Sequence, residues 1–200
     1  MKKIAITGGI GSGKSIVCNF LREEGYPVFS CDEIYREIAE TDEYLSLLKT
    51  RFPLAVENGT LNRKKLAQTV FSNAENRNIL NAISHPLIMN KLLSKMAALK
   101  NTSDLVFAEV PLLLEGQFEN LFDDVIVVIR EKKKRIEAIC ARDNLSKEQA
   151  QMRIATQFNY DGKNEQNYLE KISAKILANK GDLQALKNSV LTLLKEYRET

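Results

Sequence analysis

Hydrophobic positions in this chain fall into two rhythms, one short and blocky, the other spaced by three and four. Ile4 to Ile6 is a short apolar run that ends in a glycine cluster, the pattern of a buried strand entering a tight turn. Ile16, Val17, Phe20 and Leu21 then follow helical spacing until Gly25 and Pro27 supply a stop. Val28 and Phe29 predict a second short strand, and a helix with Ile34 and Ile38 inward is expected from Asp32 to about Ala39. From Tyr44 to Lys100 the pattern is helical throughout: Leu45, Leu48 and Phe52 recur at three and four, and Ser72 with Glu75 has the form of a capping box. No strand is expected there, so this stretch reads as a helical insertion into an otherwise alternating chain. The β rhythm returns at Leu105 to Val110 and at Val125 to Ile129, which predict central parallel strands. Beyond them come a helix near Lys132 to Arg142 with Ile136, Ile139 and Cys140 on one face, and a second helix opened by the capping pair Ser146 and Gln149. A weak last strand at Ile176 to Ala178 precedes a final helix striped by Leu183, Leu186, Val190, Leu193 or Leu194, and Tyr197. The fold class expected is α/β, a parallel sheet flanked by helices, with no internal repeat.

Composition narrows the classes of partner. Two hundred residues at 44% hydrophobic and 28% charged suit one large globular domain. Lys plus Arg at 29 against Asp plus Glu at 26 leaves +3, so neither nucleic acid nor a membrane surface is called for as partner, and a small anionic ligand fits. The three cysteines include no C-x-x-C pair, and the single histidine, His85, removes multi-histidine metal centres. With no signal-peptide apolar region after Met1 and no run of ~18 apolar residues, a cytoplasmic protein is expected. Nothing in the sequence sets an oligomeric state.

The chemistry begins at Gly8-Gly9-Ile10-Gly11-Ser12-Gly13-Lys14-Ser15, which satisfies G-x-x-x-x-G-K-[ST], the phosphate-binding loop, between a strand and a helix as that motif requires. Its glycines let successive backbone N–H groups curl around phosphate oxygens while the following helix directs its positive end at them. Lys14 would reach the β- and γ-phosphates and the Ser15 hydroxyl would hold Mg²⁺. The dinucleotide pattern G-x-G-x-x-G fails in every frame, because Ile10, Lys14 and Ile16 stand where glycine is needed. Asp32, just after the second short strand, is placed either as a proton acceptor facing the γ-phosphate or as the N-cap of its helix. Glu109 ends an apolar strand, the place from which such folds offer an acid to Mg²⁺ or its waters, or else it is a salt-bridged strand end. His85-Pro86 interrupts a helical pattern, where a lone histidine is more often packed or capping than a ligand. The basic run Arg130, Lys132, Lys133, Lys134 and Arg135 reads as a solvated face near phosphates. Arg142 and Arg153, on adjacent short helices, are either phosphate clamps or solvated surface arginines.

Taken together these residues resemble the dephospho-CoA kinase family over nearly the whole chain. The resemblance is carried by Ile6 to Ser15, then Ser30-Cys31-Asp32-Glu33-Ile34, Ile83-Ser84-His85-Pro86-Leu87-Ile88 and Glu109-Val110-Pro111-Leu112-Leu113-Leu114-Glu115. Arg142-Asp143 before a Leu145-Ser146 helix start, Arg153 to Gln157, and a late Asn179 complete it. It implies a single P-loop kinase domain over residues 1–200, with a helical acceptor-binding insertion near 33–100 and a lid near 130–160. It further implies ATP-dependent phosphorylation of the 3′-hydroxyl of dephospho-CoA with Mg²⁺, ATP and dephospho-CoA being the partners. By the same resemblance Asp32, Lys14 and Arg142 are the catalytic residues, and Gly11, Ser12, Gly13, Lys14, Ser15, Ile16 and Asn179 bind ATP. Asp32, His85, Pro111 and Leu112 contact the acceptor, and Ser15 and Glu109 hold the metal, the latter directly or through water. The chain departs from the family pattern at Ser30, where an Asp is usual, at Arg135 and Ala138, where Gln and Arg are usual, and at Lys175, where an Asp is usual. Two rivals remain at this point. A regulatory GTPase is suggested by Asn179-Lys180-Gly181-Asp182, the N-K-x-D guanine-reading pattern, although no D-x-x-G follows a hydrophobic strand and Asp182 also suits the N-cap of the last helix. Another small-molecule kinase for nucleosides or nucleotides would share the loop and differ in acceptor.

Overall fold

The structure, a computed structural model, describes residues 1–71 and 73–199. The chain opens with β1 (Lys2–Thr7), α1 (Lys14–Glu23) and β2 (Val28–Ser30), then α2 (Cys31–Ile38), α3 (Asp42–Arg51), β3 (Val56–Glu57), β4 (Thr60–Leu61), α4 (Arg63–Phe71) and α5 (Ala74–Ala97). It continues through β5 (Leu105–Glu109), β6 (Asp124–Ile129), α6 (Lys132–Asp143), α7 (Lys147–Ala155), α8 (Lys163–Lys171), β7 (Lys175–Ala178) and α9 (Leu183–Glu199). Two compact units result, one of Met1–Val28 with Leu99–Thr200 and one of Phe29–Ala98.

The first unit is built on a five-stranded sheet in the order β2-β5-β1-β6-β7. β1 pairs in parallel with β5 and with β6, in registers that set Ile4 beside Phe107 and beside Asp124, and β6 pairs in parallel with β7. Parallel neighbours demand crossover connections on the faces, and burial confirms that both faces are covered. Ile4, Ile6, Phe107, Ile126 and Val128 enter one core with Val17, Cys18 and Leu21 of α1 and with Leu186, Val190, Leu193, Leu194 and Tyr197 of α9. The alternate residues Ala5, Val106, Ala108 and Val127 are buried as well. Each fully buried aliphatic side chain stabilises such a core by about 1.5–3 kcal/mol, so α1 and α9 are fixed by their apolar stripes. Leu183, expected in the α9 stripe, is instead 56% exposed in the first turn, where the helix has just left its cap. The hydrophobic pattern offers no signal for α8, whose sequence is almost wholly polar apart from the buried Leu169.

In the second unit α2, α3 and α4 pack on α5, around Ile34, Tyr44, Leu48, Leu66, Leu92 and Met96. Three expectations are corrected here. The stretch from Tyr44 to Lys100 is not free of strands: β3 and β4 form an antiparallel hairpin. Its turn is Asn58-Gly59, both at positive φ (50° and 73°), the residue pair that most readily supplies a two-residue hairpin turn. His85-Pro86 does not interrupt its helix, because α5 runs on through Pro86, where the missing N–H leaves the Ala82 carbonyl without its usual helical donor. The helix after β2 starts at Cys31 and its N-cap is Ser30, whose Oγ accepts from the Glu33 N–H at 3.4 Å, so Asp32 is not the cap. The expected capping residue Ser72 lies outside the described residues; Asn73 caps α5 through its Oδ1 and the N–H groups of Glu75 and Asn76.

Candidate active site

β1 is the central strand, with β5 on one side and β6 on the other, so the chain leaving its carboxyl end enters the switch point where ligands bind in open α/β sheets. The phosphate loop fills that point. α1 begins at Lys14 and presents its positive end to the loop. Gly13 sits at φ 101° as its N-cap, and a side chain there would strike the Asn179 amide, so both backbone and space require glycine. Lys14 is buried, its Nζ donating to the Gly8 carbonyl at 2.7 Å and the Gly9 carbonyl at 3.3 Å, which holds the cation inside the loop. Ser15 Oγ donates to Glu109 Oε1 at 3.0 Å, joining the start of α1 to the end of β5. Glu109 thus faces the motif hydroxyl. Hydroxyl and carboxylate oxygens are hard donors of the kind Mg²⁺ accepts alongside phosphates and waters, so this pair fits that ion.

Asn179, just after β7, commits its amide to the backbone around the loop. Nδ2 donates to the Ser12 carbonyl at 2.9 Å and Oδ1 accepts from the Gly181 N–H at 3.0 Å. Beside it opens a cavity of about 380 Å³ lined by Ile129, Arg130, Lys134, Asp161, Asn179 and Lys180. The guanine-reading alternative loses its carboxylate here. Asp182 Oδ1 accepts from the Gln184 and Ala185 N–H groups at 2.9 and 3.1 Å, the geometry of a helix N-cap.

Residues 130–158 grip the loop from another side. Arg130 Nη1 approaches the Gly11 carbonyl at 3.4 Å, Arg135 Nε donates to the Ile10 carbonyl at 3.0 Å, and the Ile10 N–H donates to Gln157 Oε1 at 2.7 Å. The Phe158 N–H in turn donates to Glu115 Oε1 at 2.8 Å. Arg135, expected on a solvated face, is buried instead. Its position one turn before Ile139, which is also buried, is the signal that a helical wheel offers. Gln157 closes the block that begins at Arg153, yet its contact with Ile10 has no signal in the sequence. Arg142 turns to its neighbour Asp143, with Nε and Nη2 at 2.7 and 3.0 Å, and Arg153 Nη1 reaches the same carboxylate at 2.8 Å. The Arg142 guanidinium holds the Asp143 carboxyl below the usual carboxylate range. Pro111 and Leu112 are half-buried in the turns after β5. Burial, with the Glu109 charge adding to it, pushes the Cys18 thiol up to about 12, which removes it as a nucleophile.

Asp32 and His85 belong to the second unit. Asp32 is exposed in the first turn of α2. His85 is half-buried in the middle of α5, and burial lowers its pKa. Next to it, Ser84 is buried with its Oγ 3.0 Å from the Tyr44 hydroxyl, which donates to the Tyr35 hydroxyl at 3.4 Å. Burial raises the Tyr44 pKa, so the Tyr44 hydroxyl stays neutral.

A parallel sheet with G-x-x-x-x-G-K-[ST] between its central strand and first helix, and an acid from the adjacent strand on the motif hydroxyl, defines a P-loop kinase fold. Comparison with known proteins makes the class specific. Residues 2–186 match the sequence model of the family described as Dephospho-CoA kinase. A dephospho-CoA kinase from Streptococcus agalactiae is 32% identical over 196 residues, covering 96% of this chain and 97% of that one. Among solved structures, a Thermus thermophilus protein aligns with a TM-score of 0.80 at 34% identity, covering 98% of this chain and 97% of that one. A dephospho-CoA kinase from Campylobacter jejuni aligns at 0.65 and 27%, with the same coverage. The chain belongs to the dephospho-CoA kinase family.

Proposed function

We propose that this chain transfers the γ-phosphoryl group of ATP to the 3′-hydroxyl of dephospho-CoA, giving coenzyme A and ADP, with residues 8–15 holding the triphosphate. The observation that carries this reading is the join between Ser15 and Glu109 at the mouth of the loop, in a chain whose family is named for the reaction. Gly11, Ser12, Gly13, Lys14, Ser15 and Ile16 surround the phosphates, and Lys14 stabilises charge on the transferred group by several kcal/mol in a partly dehydrated site. The cavity beside Asn179 has the place in the sheet expected for the purine, and Asn179 supports the loop that borders it. Ser15 and Glu109, the latter directly or through water, would hold Mg²⁺, which when bound neutralises charge on the β- and γ-phosphate oxygens.

In this reading the Asp32 carboxylate accepts the proton of the 3′-hydroxyl as its oxygen bonds to the γ-phosphorus, and the bond from phosphorus to the β,γ-bridging oxygen breaks to release ADP. Support for Asp32 comes from its motif position and from the finding that Ser30, not Asp32, caps α2. Arg142 would leave Asp143 to meet the phosphoryl group, and His85, Pro111 and Leu112 would contact the acceptor. We place the enzyme in the cytoplasm, whose reducing conditions suit its three reduced cysteines; among the described residues no helix is long and apolar enough to cross a membrane. The test is ADP release with ATP and dephospho-CoA against adenosine, uridine and AMP as acceptors. Turnover with dephospho-CoA above all three is expected, and preference for a nucleoside or for AMP would replace this reading with a nucleoside or nucleotide kinase.

A further inference from the structure

Ile10 lies within the phosphate loop, and both polar groups of its backbone are taken by residues that follow β6. Its N–H is held by Gln157 and its carbonyl by Arg135 Nε, at 2.7 and 3.0 Å. Arg135 is only 3% exposed. Its guanidinium lies against Gly9 so closely that a methyl group at Gly9 would collide with Nη2 and come within 2.5 Å of Cζ. Nη2 is buried with no hydrogen-bond partner, and Arg135 makes no ion pair within 4.0 Å, among the described residues. A buried cation with a donor left unsatisfied is costly. Burial pulls its pKa down, with Asp161 and Tyr160 opposing that shift. A segment with four glycines in six residues has many accessible backbone conformations, and a rotation of the peptides on either side of Ile10 would re-aim the amides on which phosphate binding depends.

We propose that Arg135 is a positioning residue for phosphoryl transfer: with Gln157 it clamps the peptides on the two sides of Ile10 and fixes the conformation in which residues 8–15 receive the triphosphate. The charge-assisted bond to the Ile10 carbonyl orients the peptide, and the guanidinium plane blocks the space into which Gly9 would move. This inference rests on the reading of residues 8–15 as the phosphate site, which Lys14→Ala tests separately.

The experiment measures kcat and KM for ATP and for dephospho-CoA, with melting temperatures with and without ATP, for Arg135→Ala, Gln157→Ala, their combination, and Gly9→Ala alone and with Arg135→Ala. Arg135→Ala is expected to lower kcat/KM for ATP by about ten- to a hundredfold, the scale on which misplaced reacting groups slow an enzyme, while KM for dephospho-CoA stays within about twofold. The Arg135→Ala/Gln157→Ala combination loses no more than the worse single change, because both act through one residue, Ile10. Gly9→Ala, whose methyl displaces the guanidinium, is harmful in the parent and adds nothing to Arg135→Ala. Additive losses, or a lowered melting temperature with kcat/KM for ATP intact, would overturn the proposal. Where Arg135→Ala fails to fold, Gln157→Ala and Gly9→Ala decide by the same criteria. A Lys14→Ala variant that still binds and uses ATP would instead overturn the phosphate-loop reading itself.

Discussion

Asp182→Ala separates a helix cap from a base reader, and the structure sets its size. One carboxylate oxygen accepts from the N–H groups of Gln184 and Ala185, at 2.9 and 3.1 Å, at the head of the 17-residue α9. Replacing an N-cap by Ala costs about 1 kcal/mol, and loss of the negative charge at the positive end of the helix adds about 0.5 kcal/mol at an exposed site. The sum, about 1.5 kcal/mol, lowers Tm by about 3–6 °C in a chain of this length. Asp182→Asn keeps an accepting oxygen and loses only the charge, so its Tm should fall by about 1–2 °C. Scanning calorimetry of the three proteins gives the Tm values, and kcat/KM with ATP and with GTP gives the second readout. ATP should be preferred in all three, with an unchanged ratio. An Asp182→Ala protein with parental Tm, or one whose ATP to GTP ratio shifts more than about tenfold, the discrimination expected when a carboxylate reads a base edge, would refute the cap.

The remaining expectations are direct. Asp32→Asn should keep ATP binding and Tm, because Ser30 caps α2, while kcat falls by about 10²–10⁴; a normal kcat removes Asp32 as the base. Glu109→Gln should raise the Mg²⁺ concentration needed for half-maximal activity by about tenfold or more, and an unchanged requirement would leave Glu109 a purely structural partner of Ser15. His85, the only histidine, has a folded pKa below its unfolded value of 6.5. Below about pH 6.5 the unfolded chain therefore binds more protons than the folded one and stability is lost as pH falls. Urea midpoints at pH 7.5 and 5.5 should differ more for the parent than for His85→Gln, and equal differences would show that burial does not perturb this imidazole.

Local rules make much of this molecule legible in its sequence. The glycine loop between a β-branched strand and an amphipathic helix, the capping pair Ser146 and Gln149, and the cap at Asp182 are interactions between residues close along the chain, and each stands where the pattern predicts it. Local signals fail where other terms outweigh them. Pro86 does not end α5, because a long helix packed along three others loses one backbone bond and keeps its burial. The Asn58-Gly59 turn is readable in principle, but two-residue strands carry too little alternation to interrupt a helical pattern. The parts of the site that cannot be read are those joined only by tertiary folding. Gln157 meets Ile10 across 147 positions and Asn179 meets Ser12 across 167, separations at which neither residue type predicts its partner.

The central position of the first strand has a consequence for how the protein is made. β1 emerges from the ribosome well before its partners: both of its neighbours, β5 and β6, lie roughly a hundred residues later, beyond the whole of the second unit. Closing a loop of that size costs about 4 kcal/mol of chain entropy before any ladder bond forms. At a synthesis rate of about 5–20 residues per second, Ile4 to Thr7 wait for about 5–20 s with both edges open, a template for the wrong partner. The stretch 29–98 is by then complete and contiguous, with its contacts in hand, so order in the nascent chain runs from the inserted unit inward. The phosphate loop is made long before it acquires its shape, which waits until Gln157 and Asn179 have been added and can close on it.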